Sequence, residues 1–305
     1  MSVKNLQNVA ASVRQRLYNL ARQRGEDFQF VLTRFGLERL LYRLSTSPYA
    51  GKFLLKGAML FAVWSDQIHR PTLDLDLAGR GESSLEQLER MFRELCAGAG
   101  AEDGLTFDPD SVTAGRIREA QQYPGARVHL TAYLDSARIL LQVDVGYGDA
   151  VTPAPALIEY PTLLGHSVPR LKAYPQETVI AEKLQAMVFL GMANTRMKDF
   201  YDLWILAWSF EYSGNVLSRA IQATFERRQT VVPSQVPLAL TTEFFEDAGK
   251  QKAWTAFLGR SKLSGAPASL PEVCGLLEQF LTPPSRAAAN GEAFDLHWQR
   301  SGPWK

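Results

Sequence analysis

Arg70-Pro71-Thr72-Leu73-Asp74-Leu75-Asp76-Leu77-Ala78 alternates polar and apolar residues. Successive side chains of a β-strand point to opposite faces. The spacing therefore predicts a strand over Leu73–Ala78. Leu73, Leu75 and Leu77 turn toward a core, and Thr72, Asp74 and Asp76 share the other face. Two neighbouring carboxylates repel unless a cation lies between them. A hard divalent ion such as Mg²⁺ takes oxygen ligands and keeps positions open for phosphate. A solvated strand face gives the same pattern, because a bare Asp-x-Asp pair is common.

Upstream, Phe53-Leu54-Leu55-Lys56-Gly57-Ala58-Met59-Leu60 reads as an apolar strand ending at a glycine, with a helix opening over Ala58–Trp64. Glycine permits close backbone approach, and amides at a helix start bind phosphate. Lys56, Gly57 and Ala58 are thus candidates for holding phosphate, with Thr72 beside them. An ordinary strand-to-helix turn fits equally well. Downstream, Ser84 and Gln87 have the spacing of a capping box. Strands are expected at 115–122 and 127–134, joined by a turn at Tyr123-Pro124-Gly125-Ala126. A further strand, Arg138–Val145, places Ile139, Leu141, Val143 and Val145 on one face and Asp144 on the other. A third carboxylate suits a two-ion site, and an exposed strand aspartate near Gly146 and Gly148 is the alternative. Pro153, Pro155, Pro161 and Pro169 suggest a connection with little regular structure.

From Pro175 onward the pattern is helical. We expect an N-terminal mixed part over residues 1–170 and a helical lobe over 171–305. In a helix over 176–191, Val179, Ile180, Met187 and Leu190 form a stripe that contains Lys183, while Glu182 and Gln185 occupy the other side. An inward lysine needs an anionic partner, since burying an unpaired ammonium is costly. In the next helix, about 197–210, Asp199 shares a stripe with Leu203, Leu206 and Phe210. Lys183 and Asp199 can form a structural pair or line a cleft; snorkelling and N-capping are the plainer explanations. The run 281–291, with Pro283 and Pro284, reads as a linker.

The 305 residues carry a formal net charge of +1, so bulk charge points to neither nucleic acid nor membrane. Cys96 and Cys274 are the only cysteines, which excludes a disulfide framework and suggests a reducing compartment. The first residues lack the apolar core of a secretory signal, and no apolar run is long enough for a membrane span. A cytoplasmic location is expected. Histidines and cysteines lack zinc spacing, and no serine sits in a nucleophile elbow.

Lys56-Gly57 followed by Arg70–Asp76 resembles the signature of the DNA polymerase β-type nucleotidyltransferases. With the runs Leu141–Asp149, Glu177–Ala186 and Arg196–Leu203 in this order, the chain is similar to the AbiEii/AbiGii nucleotidyltransferase toxins over about residues 30–210. Ala58 departs from the usual glycine or serine after the first glycine of the turn. The resemblance implies an α+β fold: a polymerase β-like mixed sheet flanked by helices, followed by the helical lobe. It implies transfer of a nucleoside monophosphate from an NTP, with pyrophosphate released. Asp74, Asp76 and Asp144 are implied as Mg²⁺ ligands, Asp144 alternatively as activator of the acceptor hydroxyl. Lys183 is implied to meet the triphosphate, with Asp199 or Asp202 orienting it or the acceptor. The 3′ end of tRNA is the implied acceptor, and an antitoxin encoded nearby the implied partner, in a toxin–antitoxin or phage abortive-infection system. A nucleotidyltransferase acting on a small molecule or protein, and a non-catalytic binding protein of the same fold, are the alternatives.

Overall fold

Strands buried on one face and hydrophilic on the other organise the first part of the chain. The computed structural model describes residues 3–65, 70–81, 84–98, 102–117, 125–261, 263, 265 and 267–305, without the side chains of residues 3–7. The chain forms two compact units, Met1–Gly148 with Ala156–Ala173, and Asp149–Pro155 with Tyr174–Lys305.

The first unit contains α1 (Val3–Arg24), α2 (Phe28–Ser45), β1 (Phe53–Lys56), α3 (Phe61–Trp64), β2 (Asp74–Gly79), α4 (Leu85–Ala97), β3 (Leu105–Arg116), β4 (Gly125–Leu134), β5 (Ala137–Tyr147), β6 (Ala156–Glu159) and β7 (Arg170–Ala173). All seven strands join one mixed sheet in the order β3-β4-β5-β2-β1-β7-β6. β2, in the middle, runs antiparallel to β1 and parallel to β5. Leu75 and Leu77 of β2 and Ile139, Val143 and Val145 of β5 are fully buried. Leu73, expected inside, precedes the strand and is 59% exposed. Helix α2 lies on the apolar face of β5. A Cβ on Gly36 would stand 2.9 Å from a Leu141 methyl, so only glycine allows this approach without displacing the leucine.

Helix α2 also carries buried charge. Arg39 Nε donates to Asp103 at 2.8 Å, and Arg43 reaches the same carboxylate with both terminal nitrogens at 3.0 and 3.1 Å. This pins the segment entering β3 to the helix. The capping box at α4 forms as expected, with Ser84 accepting from the Gln87 amide and Gln87 accepting from the Ser84 amide.

Several expectations fail locally. The strand expected at 115–122 lies earlier, at Leu105–Arg116, where an irregularity in register between Asp108 and Thr113 breaks the alternation. Residues 118–124, including most of the expected turn, lie outside the described residues. The proline-punctuated connection contains β6 and β7, each four residues long, starting just after Pro155 and Pro169. Both prolines stand where a missing N–H costs a strand nothing. The helix expected over Ala58–Trp64 is a 3₁₀ turn, Ala58–Leu60, followed by the single turn of α3.

The second unit comprises α5 (Gln176–Leu190), α6 (Met197–Ser209), β8 (Tyr212–Ser213), α7 (Gly214–Arg227), α8 (Thr242–Phe245), α9 (Ala248–Ser261), α10 (Leu270–Asn290) and β9 (His297–Trp298). The expected linker at 281–291 is instead the last turns of α10, closed by left-handed Gly291. A proline inside a helix leaves the carbonyl four residues earlier without its donor. For Pro284 that carbonyl belongs to Phe280, and the Trp304 indole donates to it at 3.1 Å. Ser218 donates to the Pro284 carbonyl at 3.0 Å. The C-terminal tail thus completes the helix, and Trp298, fully buried, donates to the Ala207 carbonyl at 2.7 Å. Cys96 and Cys274 are both buried free thiols, and burial pushes each up to about 12, which leaves them unreactive. Among the described residues no helix is long and apolar enough to cross a membrane.

Candidate functional site

The carboxylates meet because two parallel strands lie in register. Asp76 of β2 is directly paired with Asp144 of β5, and Asp74 with Gln142. Their apolar neighbours Leu75, Leu77, Val143 and Val145 fill the opposite face, so alternation turns all three aspartates the same way. Each is half-buried, and one oxygen of each lies within 4.8 Å of the others. At that separation two carboxylates repel by about 3 kcal/mol at an effective dielectric near 20, before screening by water. Neighbouring groups answer part of this charge. The Thr72 hydroxyl donates to Asp74. Arg127 donates through Nε and Nη2 to the two oxygens of Asp144, both at 2.8 Å, and Gln142 Nε2 approaches Asp144 at 3.3 Å. Arg127 sits on β4 directly opposite Asp144. Sequence reading missed it, because its place depends on a hairpin register that alternation alone does not set. Hard oxygen donors at this spacing suit a divalent cation.

Gly57 has a reason of its own. Its φ of 76° and ψ of −159° lie where a side chain is strained, and a Cβ there would stand 1.9 Å from the Asp76 carboxylate. The backbone closes onto Asp76, so the glycine shapes the carboxylate site. Lys56 is the direct cross-strand partner of Asp76. Ala58 and Thr72 line a small recess with Arg34, Arg70 and Tyr160.

In the second unit, Lys183 of α5 donates to Asp199 at 2.6 Å and pairs with Asp202 at 2.8 Å. Arg196 donates to the other oxygen of Asp199 at 2.6 Å. Both aspartates are 1% exposed. Burial raises the Asp199 carboxyl, but the adjacent Lys183 and Arg196 cations outweigh it and hold the group well below the usual carboxylate range. The inward lysine inferred from its stripe therefore has two anionic partners. The far side of α5, expected to be simply polar, is structured as well. Gln185 is buried and accepts from Arg228 at 2.9 Å, and Arg228 also pairs with Asp149 at 2.9 Å and Glu182 at 3.5 Å. Lys250 of α9, which nothing in the sequence singled out, is buried and donates to the Met192 and Asn194 carbonyls at 2.5 and 2.9 Å. It stabilises the turn that leads into Arg196.

Comparison with known proteins adds a family. The sequence profile described as "Nucleotidyl transferase AbiEii toxin, Type IV TA system" matches residues 39–279. No curated protein matches the chain. Among solved structures, JHP933 from Helicobacter pylori is similar at 16% identity and a TM-score of 0.46, covering 84% of this chain and 90% of that one. A candidate nucleotidyltransferase from H. pylori matches at 16% identity and a TM-score of 0.45, covering 84% of this chain and 93% of the other. With its profile spanning most of the sequence, the chain belongs to the AbiEii family of nucleotidyltransferase toxins of type IV toxin–antitoxin systems.

Proposed function

We propose that this nucleotidyltransferase transfers a nucleoside monophosphate from an NTP to the 3′ end of tRNA in a Mg²⁺-dependent reaction, as the toxin of a phage-defence system. The observation that best supports the reading is the meeting of Asp74, Asp76 and Asp144, with one oxygen of each within 4.8 Å of the others, in a chain of this family. A bound divalent ion would supply charge neutralisation at the triphosphate and make an adjacent hydroxyl more acidic. Asp74 and Asp76 hold that ion. Asp144 serves as a third ligand or takes the proton of the attacking hydroxyl. Thr72 fixes the rotamer of Asp74 by donating to it.

The hydroxyl oxygen forms a bond to the α-phosphorus as the bond to the bridging oxygen breaks, and pyrophosphate leaves. Such chemistry depends on position and charge more than on covalent help. Gly57 and its neighbours Lys56 and Ala58 hold phosphate close to Asp76. Lys183 meets triphosphate charge, and Asp199 and Asp202 orient it. The tRNA acceptor, the nearby antitoxin and the cytoplasmic setting rest on the family resemblance.

The test incubates the protein with each α-labelled NTP, Mg²⁺ and total RNA. Label should enter the tRNA fraction, and chelation should stop it. Asp76→Asn should lower transfer on the order of a hundredfold or more while the protein melts normally. Label entering protein or small molecules instead would overturn the tRNA acceptor, and wild-type transfer by Asp76→Asn would overturn the mechanism.

A further inference from the structure

Arg127 meets the carboxylate cluster in an unusual way. It projects from β4 directly opposite Asp144, and its planar fork engages both oxygens of that carboxylate at 2.8 Å. A bidentate fork of this kind uses the in-plane lone pairs facing the guanidinium. An ion ligated by the same oxygens must share them with Arg127 or displace it, and the two cations repel at such range. The pair is only partly shielded: the Arg127 side chain is 36% exposed and that of Asp144 17%, so water can receive a departing guanidinium.

We propose that Arg127 is an internal cation that holds Asp144 in the metal-free protein and is exchanged for a divalent ion when the carboxylate cluster is loaded. This rests on reading Asp74, Asp76 and Asp144 as a divalent-ion site. Arg127 is then a positioning residue with two effects. It fixes the Asp144 rotamer between turnovers and relieves carboxylate repulsion. It also raises the ion concentration at which Asp144 becomes a ligand. Gln142, at 3.3 Å from the same carboxylate, remains to orient Asp144 after the exchange.

The test measures Mn²⁺ binding to the full-length protein without nucleotide, by calorimetry and by the paramagnetic signal of free Mn²⁺. Arg127→Gln should bind Mn²⁺ about three- to tenfold more tightly than wild type, the range expected for removing a competing, half-exposed ion pair. In an Asp144→Asn background the same substitution should change affinity little, because the competition runs through that carboxylate. Arg127→Lys keeps the charge and loses the fork, and should lie between. It also carries the measurement if Arg127→Gln does not fold. Asp76→Asn should weaken Mn²⁺ binding whatever stands at 127. If Asp76→Asn weakens binding but neither Arg127 variant tightens it, the exchange is wrong and the ion site stands. Equal tightening in the Asp144→Asn background would reduce Arg127 to a long-range field and overturn the proposal. If no variant alters Mn²⁺ affinity, the ion-site reading fails and the proposal falls with it.

Discussion

The two acidic centres of this chain are built from the same residue types and differ in burial. On β2 and β5, three half-buried carboxylates share a face, with the Arg127 guanidinium on one of them. On α5 and α6, two carboxylates that are almost wholly buried meet Lys183 and Arg196. Sealing charges away from water is tolerable only when they cancel and satisfy one another's hydrogen bonds. A cluster left partly open to water can take up another cation. The difference separates a centre assembled to receive charge from one assembled to hold a lysine in place.

The strongest way to break this comparison is to unbalance the sealed centre. Asp199→Ala takes from Lys183 and Arg196 the carboxylate they share, in a site vacated by a residue that was 1% exposed. The expected loss is about 3–5 kcal/mol, the range for removing one partner of a buried pair. Five of the six tryptophans, at 204, 208, 254, 298 and 304, belong to the same unit, so denaturant unfolding followed by tryptophan fluorescence reads the loss directly. An unchanged midpoint would mean that Lys183 and Arg196 rehydrate freely and that the centre is not sealed.

Glu38 sharpens the contrast, being a carboxylate buried without adequate compensation. Burial raises it to about 7, although Leu163 N–H donates to it at 2.8 Å and Arg39 lies 3.6 Å away. The raised value and the ion-pair distance point in opposite directions; burial prevails, because Oε1 makes no hydrogen bond. A folded-state value above the unfolded one, near 4.5, means that the folded protein binds the extra proton between them. Stability from this group is thus complete below pH 4.5 and is lost as pH rises toward 7, by about 3 kcal/mol in all. Glu38→Gln keeps an acceptor for Leu163 and cannot ionise. It should flatten that part of the stability profile and make the protein more stable than wild type at pH 8. Parallel profiles for the two proteins would show that Glu38 is ionised and paired.

How far these features could be read in advance depends on whether their causes are local. Alternation placed β2 and β5 and turned Asp74, Asp76 and Asp144 to one side, because each strand is regular and buried on the other. It could not supply register, so Arg127 went unseen although it belongs to a strand whose later part was anticipated. β3 was misplaced because an irregularity interrupts its period, and β6 and β7 are too short to have one. Pro283 and Pro284 inside α10 signalled a break, and the donor that restores the helix lies twenty residues after Pro284, in Trp304. Lys183 and Asp199 stood out because each interrupts an apolar stripe. Asp202 was implied by the family resemblance, and Arg196, which donates to Asp199, needed the fold to be recognised.

Gly57→Ala tests the open centre through its backbone. A methyl at this position meets the Asp76 carboxylate at 1.9 Å and also places a side chain at a φ of 76°. The strain should cost about 1–3 kcal/mol. Because the contact is with Asp76, the carboxylate has to move, so Mn²⁺ affinity should fall along with thermal stability. Preserved Mn²⁺ affinity alongside a lowered melting temperature would confine the role of Gly57 to the turn.

The smallest expected effect is the most discriminating, because it reverses sign between the two centres. Asp76→Asn removes one negative charge from a group of three whose oxygens lie within 4.8 Å. Asparagine is nearly isosteric, so the fit against Gly57 is retained and the change is mainly electrostatic. In the metal-free protein the lost repulsion should leave stability unchanged or raise it by up to about 1 kcal/mol, since partial exposure screens the charges. Adding Mn²⁺ should stabilise wild type and give this variant much less, as an ion that binds only the folded state raises stability with the logarithm of its concentration relative to its dissociation constant. The measurement is a pair of thermal unfolding curves for each protein, with chelator and with excess Mn²⁺. If Asp76→Asn instead destabilises the chelated protein as Asp199→Ala does, the β2–β5 carboxylates are already compensated, and the distinction between an open and a sealed centre fails.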